Sequence, residues 1–217
     1  MHQLANAGNV RACVDQPAEW QVCKLGGIGE GGMYGLLNAA LKEFVVSTYG
    51  NDSWQRVAET SAPGIVSFNK MAPYPDALTY AMVTRACEVL GESFETVMFG
   101  FGEFWVRYTD QQGYGPLFEI AGDSLRDFLL NLDALHVRVG RSFPKLEPPS
   151  FRFETVDGRT LRMHYLTRRK DLCPMIPGIL HGLSLRFKTA LEVTQDTCAR
   201  KGAAHCEFVL VFPEACA

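Results

Sequence analysis

The stretch Gly122–Gly140, GDSLRDFLLNLDALHVRVG, decides the fold. Its pattern predicts one amphipathic helix. Asp123 or Ser124 is placed to cap the N-terminus with a side-chain oxygen. Leu125, Phe128, Leu129, Leu132, Leu135 and Val139 recur at the three- and four-residue spacing of a buried face. Gly140 supplies a stop, with Pro144 just beyond. His136 falls on the same stripe, four residues after Leu132 and three before Val139. Burying an imidazole without a partner costs free energy. The ring therefore either hydrogen-bonds a nearby carbonyl as a core histidine or ligates a metal.

Upstream of this segment the chain has a helical pattern. Tyr34–Tyr49 carries Leu37, Leu41, Phe44 or Val45, and Thr48 at helical spacing, with Gly50 as stop. Trp54–Thr60 predicts a second, short helix, and Pro63, Gly64, Pro73 and Pro75 punctuate the connection after it. Asp76 is positioned to cap a helix running to Leu90. Ser93 opens a long helix whose stripe is Phe94, Val97, Met98, Phe101, Trp105 and Tyr108. So aromatic a face suits either a large core or the wall of a flat apolar cofactor.

Downstream, Pro148-Pro149 closes the helical half and the period changes to two. Ser150–Val156 and Arg159–Thr167 alternate around Asp157-Gly158, a type I′ hairpin signal. A helix over Cys173–Ala190 comes next. Strands at Glu192–Cys198 and His205–Phe212 flank a Lys201-Gly202 turn. The predicted class is α+β, a helical N-terminal half packed on a four-stranded antiparallel sheet with one further helix. Residues 1–32 end in GGIGEGG, which is linker chemistry, and are set aside as an extension or a cloning remnant; the domain is expected over 33–217.

With 217 residues, 47% hydrophobic and 21% charged, the composition is that of a globular domain. A net charge of -3 argues against nucleic acid or an anionic membrane as partner. No apolar run reaches the roughly 18 residues of a membrane span, and no secretory h-region opens the chain. Seven cysteines without a compact framework predict reduced thiols and a cytoplasmic location.

Tyr165, Thr167 and Arg169 are two apart on a predicted strand and are expected to share a face. A phenol, a hydroxyl and a guanidinium in a row make an anion clamp. Alone, this is also a common solvated strand face. Set beside one histidine on a buried helix stripe and an aromatic wall, it becomes specific. A heme requires an axial imidazole, an apolar slot and donors for two propionates.

These residues carry a family resemblance. MYGLLNAAL from Met33, GEFWVRYT from Gly102, the Gly122–Gly140 stretch, and YLTRRKDLCPMIPGILHGL from Tyr165 resemble the H-NOX domain. That is the heme nitric oxide/oxygen-binding fold of bacterial gas sensors and of soluble guanylate cyclase. The resemblance spans residues 33–212 and is strongest to the cyanobacterial branch. It implies heme b with His136 as proximal ligand. Tyr165, Thr167 and Arg169 would hold the propionates, with Thr167 standing where the family usually has serine. Pro149 would press on and distort the porphyrin.

The resemblance also implies the ligand. Oxygen-binding members carry a distal tyrosine, and its position aligns with Met175, which has no donor. Trp105 aligns to a pocket-lining position beside Met175, Leu41 and Met98, with Met33 also assigned to the heme pocket; the indole N–H of Trp105 either packs or reaches a ligand. The expected activity is sensing of nitric oxide and CO, without stable dioxygen binding and without catalysis. Nitric oxide bound trans to His136 would weaken the iron–histidine bond. The resulting shift would be read by a partner such as a histidine kinase or a nucleotide cyclase. Cys173, Cys198 and Cys206 fit a cysteine pattern that binds zinc in some H-NOX proteins. His205, next to Cys206, points to the other strand face and is a weak fourth ligand, and Gln195 stands where a histidine would be sought. His164 is expected on the strand face opposite the clamp. Two rivals are a heme peroxidase or oxygenase, for which the distal His and Arg are lacking, and a heme-free, zinc-bearing small-molecule sensor of related fold.

Overall fold

A computed structural model describes residues 32–213 apart from 142, 144 and 146. The extension expected over 1–32 lies, but for Gly32, outside the described residues. The helical half opens with β1 (Met33–Tyr34), which pairs antiparallel with β2 (Pro73–Tyr74). This small ribbon was not legible in the sequence, because two of its four residues fall among the proline punctuation. Between them lie α1 (Gly35–Tyr49) and α2 (Asn51–Ser61); after β2 come α3 (Asp76–Leu90) and α4 (Phe94–Thr109). Ser93 caps α4 as expected, its Oγ accepting from the Thr96 N–H at 3.1 Å. Asp76 does not cap α3: Pro75 holds the cap position, and the Asp76 carboxylate is turned to Arg169 instead. A short irregular turn, with Gly113 at φ +92°, leads into α5 (Gly115–Ala121).

The deciding stretch is two helices rather than one. Ser124 caps α6 (Leu125–Leu130), and α7 (Leu132–Gly140) begins after a break at Asn131. At the break Asn131 has φ −97° and ψ 3°, and its side-chain N–H₂ donates to the Ala121 carbonyl at 2.8 Å. That bond ties the kink to the end of α5. Gly140 ends up inside α7, and Arg141 takes the cap.

The sheet order is β3 (Ser150–Thr155), β4 (Thr160–Leu166), β6 (Cys206–Val211) and β5 (Glu192–Thr197), all antiparallel. The β3–β4 connection is not the predicted type I′ turn, which requires positive φ at both central residues; neither Asp157 nor Gly158 has one. Instead Asp157 Oδ1 accepts from the Arg159 N–H at 2.7 Å, an Asx-type turn.

Between β4 and β5 lies α8 (Met175–Arg186), which packs on α4 with almost no separation. A Cβ on Gly102 would overlap the Met175 carbonyl oxygen, and one on Gly178 would overlap the Phe99 carbonyl. Glycine at both positions lets the two backbones touch, which fixes the start of α8 against the aromatic helix. Two apolar clusters result. One joins α1, α3, α4 and the start of α8; the other joins α6, the inner sheet face and the rest of α8. No helix among the described residues is long and apolar enough to cross a membrane.

Candidate functional site

His136 sits on α7, a helix with no fully buried residue. Its stripe of Leu132, Leu135, His136 and Val139 is largely but not completely covered by protein. The ring lies 5.6 Å, centroid to centroid, from Phe151 on β3, and Phe151 in turn lies 5.3 Å from Tyr165 on β4. Nδ1 is 3.2 Å from the Pro149 carbonyl oxygen. A carbonyl only accepts, so Nδ1 carries the proton and Nε2 presents a lone pair. Burial pushes the imidazole below its ordinary pKa, against the Pro149 hydrogen bond and the nearby Asp133 charge. The lowered pKa and the Nδ1 bond together give a neutral ring with Nε2 available, the form a metal ligand requires.

Asp133, one turn earlier, clamps the same helix to the sheet. Its carboxylate accepts from the Phe151 N–H at 2.6 Å and from Ser150 Oγ at 2.9 Å. Pro149 thus acts here through its carbonyl, a role not legible in the sequence.

A second apolar group lies in the helical half. Leu41 and Met98 are completely buried, Met175 nearly so, and Trp105 is half-buried against them. Trp105 stacks on Tyr108 with ring centroids 6.5 Å apart. Met33 lies in β1, buried, paired with Tyr74 and outside this cluster. Tyr114 and Ile179 touch both clusters, so the two clusters adjoin.

The expected anion clamp is only partly assembled. β4 ends at Leu166, so Thr167 and Arg169 lie beyond the strand. Tyr165 is on the inner face, where burial raises its phenol strongly, with a hydrogen bond to Thr167 opposing. Thr167 Oγ1 accepts from the Arg169 N–H at 3.0 Å and so sets the turn. The guanidinium is held by Asp76, with Nε to Oδ2 at 2.6 Å and Nη2 to Oδ1 at 3.2 Å, and Nη1 donates to the Glu147 carbonyl at 2.8 Å. A guanidinium has five N–H groups, so two remain for an anion. Tyr80, one turn after Asp76, faces the same group. Burial pushes its phenol up to about 12, reinforced by Asp171 and Asp76 and opposed by Arg169. Asp76 and Tyr80 were missed as site residues; their i, i+4 spacing on α3 was the available signal.

These residues fit a heme. They supply one oriented imidazole lone pair, two adjoining apolar clusters, and a guanidinium with two N–H groups left free.

The thiols of Cys173, Cys198 and Cys206 also meet, with sulfurs within 4.8 Å of one another and Cys173 Sγ 3.7 Å from Cys198 Sγ. His205 faces elsewhere, with its ring against His164. Cys87, Cys173, Cys198 and Cys206 are free thiols.

Residues 34–195 match the family model described as Haem-NO-binding. The chain is 31% identical over 157 residues to soluble guanylate cyclase gcy-32 of Caenorhabditis elegans, covering 71% of this chain and 23% of that protein. It is 27% identical over 172 residues to soluble guanylate cyclase 89Db of Drosophila melanogaster, covering 76% and 26%. The chain therefore spans about a quarter of the length of these curated relatives. An H-NOX protein from S. oneidensis in the Fe(II)NO ligation state superposes with a TM-score of 0.78 at 20% identity, covering 84% of this chain and 100% of that one. The matched domain is a sensor domain and not a catalytic one. With the family model matching most of its length, the chain belongs to the heme-NO-binding, or H-NOX, family.

Proposed function

We propose that this domain is a gas sensor that carries heme b on His136, takes nitric oxide and CO, and does not bind dioxygen stably. The observation that carries the reading is the oriented imidazole. Nδ1 is committed to the Pro149 carbonyl, which would leave Nε2 to hold the heme iron. The heme would supply an iron coordination position open to a diatomic gas.

Leu41, Met98 and Met175, which would form the other wall of the heme pocket, offer no hydrogen-bond donor. Bound dioxygen carries partial negative charge and needs a donor far more than nitric oxide does. Trp105 packs within this wall. Tyr165, Thr167 and Arg169 would order a carboxylate-bearing edge, Arg169 through the two N–H groups that Asp76 and Glu147 leave free. Signalling follows from how α7 is held. It is kinked away from α6 at Asn131, has no fully buried residue, and is tied to β3 by Asp133. A displacement of His136 passes directly to Pro149 and β3. A nucleotide cyclase or a histidine kinase is the class of partner that would read it, inside the cytoplasm. The thiol cluster offers three ligands for zinc alongside heme, without replacing it.

The test is an anaerobic absorption spectrum of the reduced protein, alone, with nitric oxide and in air. A Soret band that moves with nitric oxide and not with air supports the reading. A stable spectrum of a dioxygen complex, lost in Trp105→Phe, would reassign Trp105 as a donor. Zinc content with no Soret band after heme reconstitution would favour the heme-free sensor.

A further inference from the structure

The outer face of the sheet carries a second group of metal-ligating side chains, separate from both the heme site and the thiols. His164 on β4 faces away from the inner wall; its neighbours Met163 and Tyr165 are buried and point inward. His164 pairs in register with Glu207 on β6, and His205 lies just before that strand. Residues 205 and 207 share a face, whereas Cys206 between them is buried on the other side.

Three atoms converge. His164 Nδ1 is 3.0 Å from His205 Nε2 and 3.4 Å from Glu207 Oε1, and His205 Nε2 is 3.1 Å from the same oxygen. These edges are those of one face of a small coordination tetrahedron. An ion about 2.0–2.1 Å from all three, the usual zinc distance to imidazole and carboxylate, would stand roughly 1 Å out of their plane. The surroundings orient the ligands. Arg162 Nη1 lies 3.4 Å from Glu207 Oε2, which leaves Oε1 facing the rings. His164 Nε2, the nitrogen that carries the proton when Nδ1 is a ligand, is buried without a hydrogen-bond partner among the described residues, with Glu154 Oε1 3.3 Å away. The His205 side chain is 31% exposed, so a fourth position opens to water.

We propose that His164, His205 and Glu207 form a binding site for a borderline divalent ion of the zinc class, with water as fourth ligand. Two imidazoles and one carboxylate suit zinc, cobalt or nickel, whereas calcium and magnesium want oxygen ligands throughout. The ion would join β4 to β6 on the outer face, back to back with the thiol cluster.

The test titrates the chelator-stripped whole chain with cobalt(II) and zinc sulfate, and compares it with His205→Ala and with Glu207→Gln. Cobalt bound to thiolates gives near-ultraviolet charge-transfer bands, so the thiol cluster is counted separately from an N/O site. Expected is one equivalent of metal in the wild type that contributes no thiolate band. It is lost in His205→Ala and weakened at least ~10-fold in Glu207→Gln, with thiolate bands unchanged. Zinc should also raise the melting temperature of the wild type more than that of either variant. Glu207→Gln is nearly isosteric, so it answers the question if His205→Ala unfolds. Equal stoichiometry and affinity in the wild type and Glu207→Gln, or metal bound only with thiolate bands, would overturn the assignment.

Discussion

His136 Nδ1 donates to the carbonyl oxygen of Pro149 across 3.2 Å, joining the ring on α7 to the residue that leads into the sheet. The acceptor is backbone, so the bond survives a change of side chain at 149. His136→Ala should therefore lower the heme retained after gel filtration by more than ~10-fold, with partial recovery in added imidazole. Pro149→Ala should keep heme and destabilise the fold by only ~0.4–1 kcal/mol through the looser unfolded chain. Heme content and urea unfolding of the two variants check this. Wild-type heme content in His136→Ala without imidazole would put the axial donor elsewhere.

Arg169 and Asp76 are 93 residues apart and form a two-point ion pair. If the remaining guanidinium N–H groups hold a propionate, the two partners must respond differently. Arg169→Ala should speed heme loss to an excess of a heme-scavenging protein. Asp76→Asn should retain heme while costing ~1.5–3 kcal/mol of stability, the usual worth of hydrogen bonds to a charged group. Equal heme loss from both variants would mean that the pair serves only the fold.

How much of this was legible in the sequence depended on range. The α+β division, α3, the cap at Ser93 and the four strands come from local period and capping. The break at Asn131 was hidden because the apolar stripe resumes in phase at Leu132. The hairpin loop misled because Asp157-Gly158 also serves an Asx turn, in which the aspartate side chain replaces positive φ. The clamp was read as one strand face, but the ladder stops at Leu166. Pairings such as Arg169 with Asp76, or His164 with His205, need the strand and helix order before they can be seen. The thiols of Cys173, Cys198 and Cys206 are likewise spread along the sequence; they were grouped through the family resemblance and not through spacing.

Gly178 and Gly140 should respond to alanine with opposite signs. Both lie in helices, where alanine is better than glycine by ~0.8–1 kcal/mol. At Gly140 a Cβ meets nothing within 4 Å, so Gly140→Ala should stabilise by up to that amount. At Gly178 the Cβ would overlap the Phe99 carbonyl and force α8 off α4. Overpacking of that kind costs ~1–3 kcal/mol, more than the propensity gain. Urea midpoints decide it, and a Gly178→Ala variant as stable as wild type would show that the two helices separate freely.

The thiols should alkylate in a fixed order. The thiolate is the nucleophile, so the rate follows each pKa as well as access. For Cys198, burial raises the pKa, but the backbone N–H groups of Arg200 and Lys201 and the Cys173 thiol outweigh it and bring it below 9.0. Burial pushes Cys87 up to about 11. Cys173 is raised further still, by burial and then by the neighbouring Cys206. With metal chelated and pH rising from 7, iodoacetamide should label, of these three described thiols, Cys198 first, Cys87 only as pH approaches 11, and Cys173 last. The sign for stability follows from the same shift at Cys87. The folded state holds its proton more tightly than the unfolded chain, so the stabilisation is complete below 9.0 and is lost as pH rises through about 11. Peptide mass spectrometry after timed labelling measures the order directly. Cys87 labelled as fast as Cys198 at pH 8 would show that burial does not hold its proton.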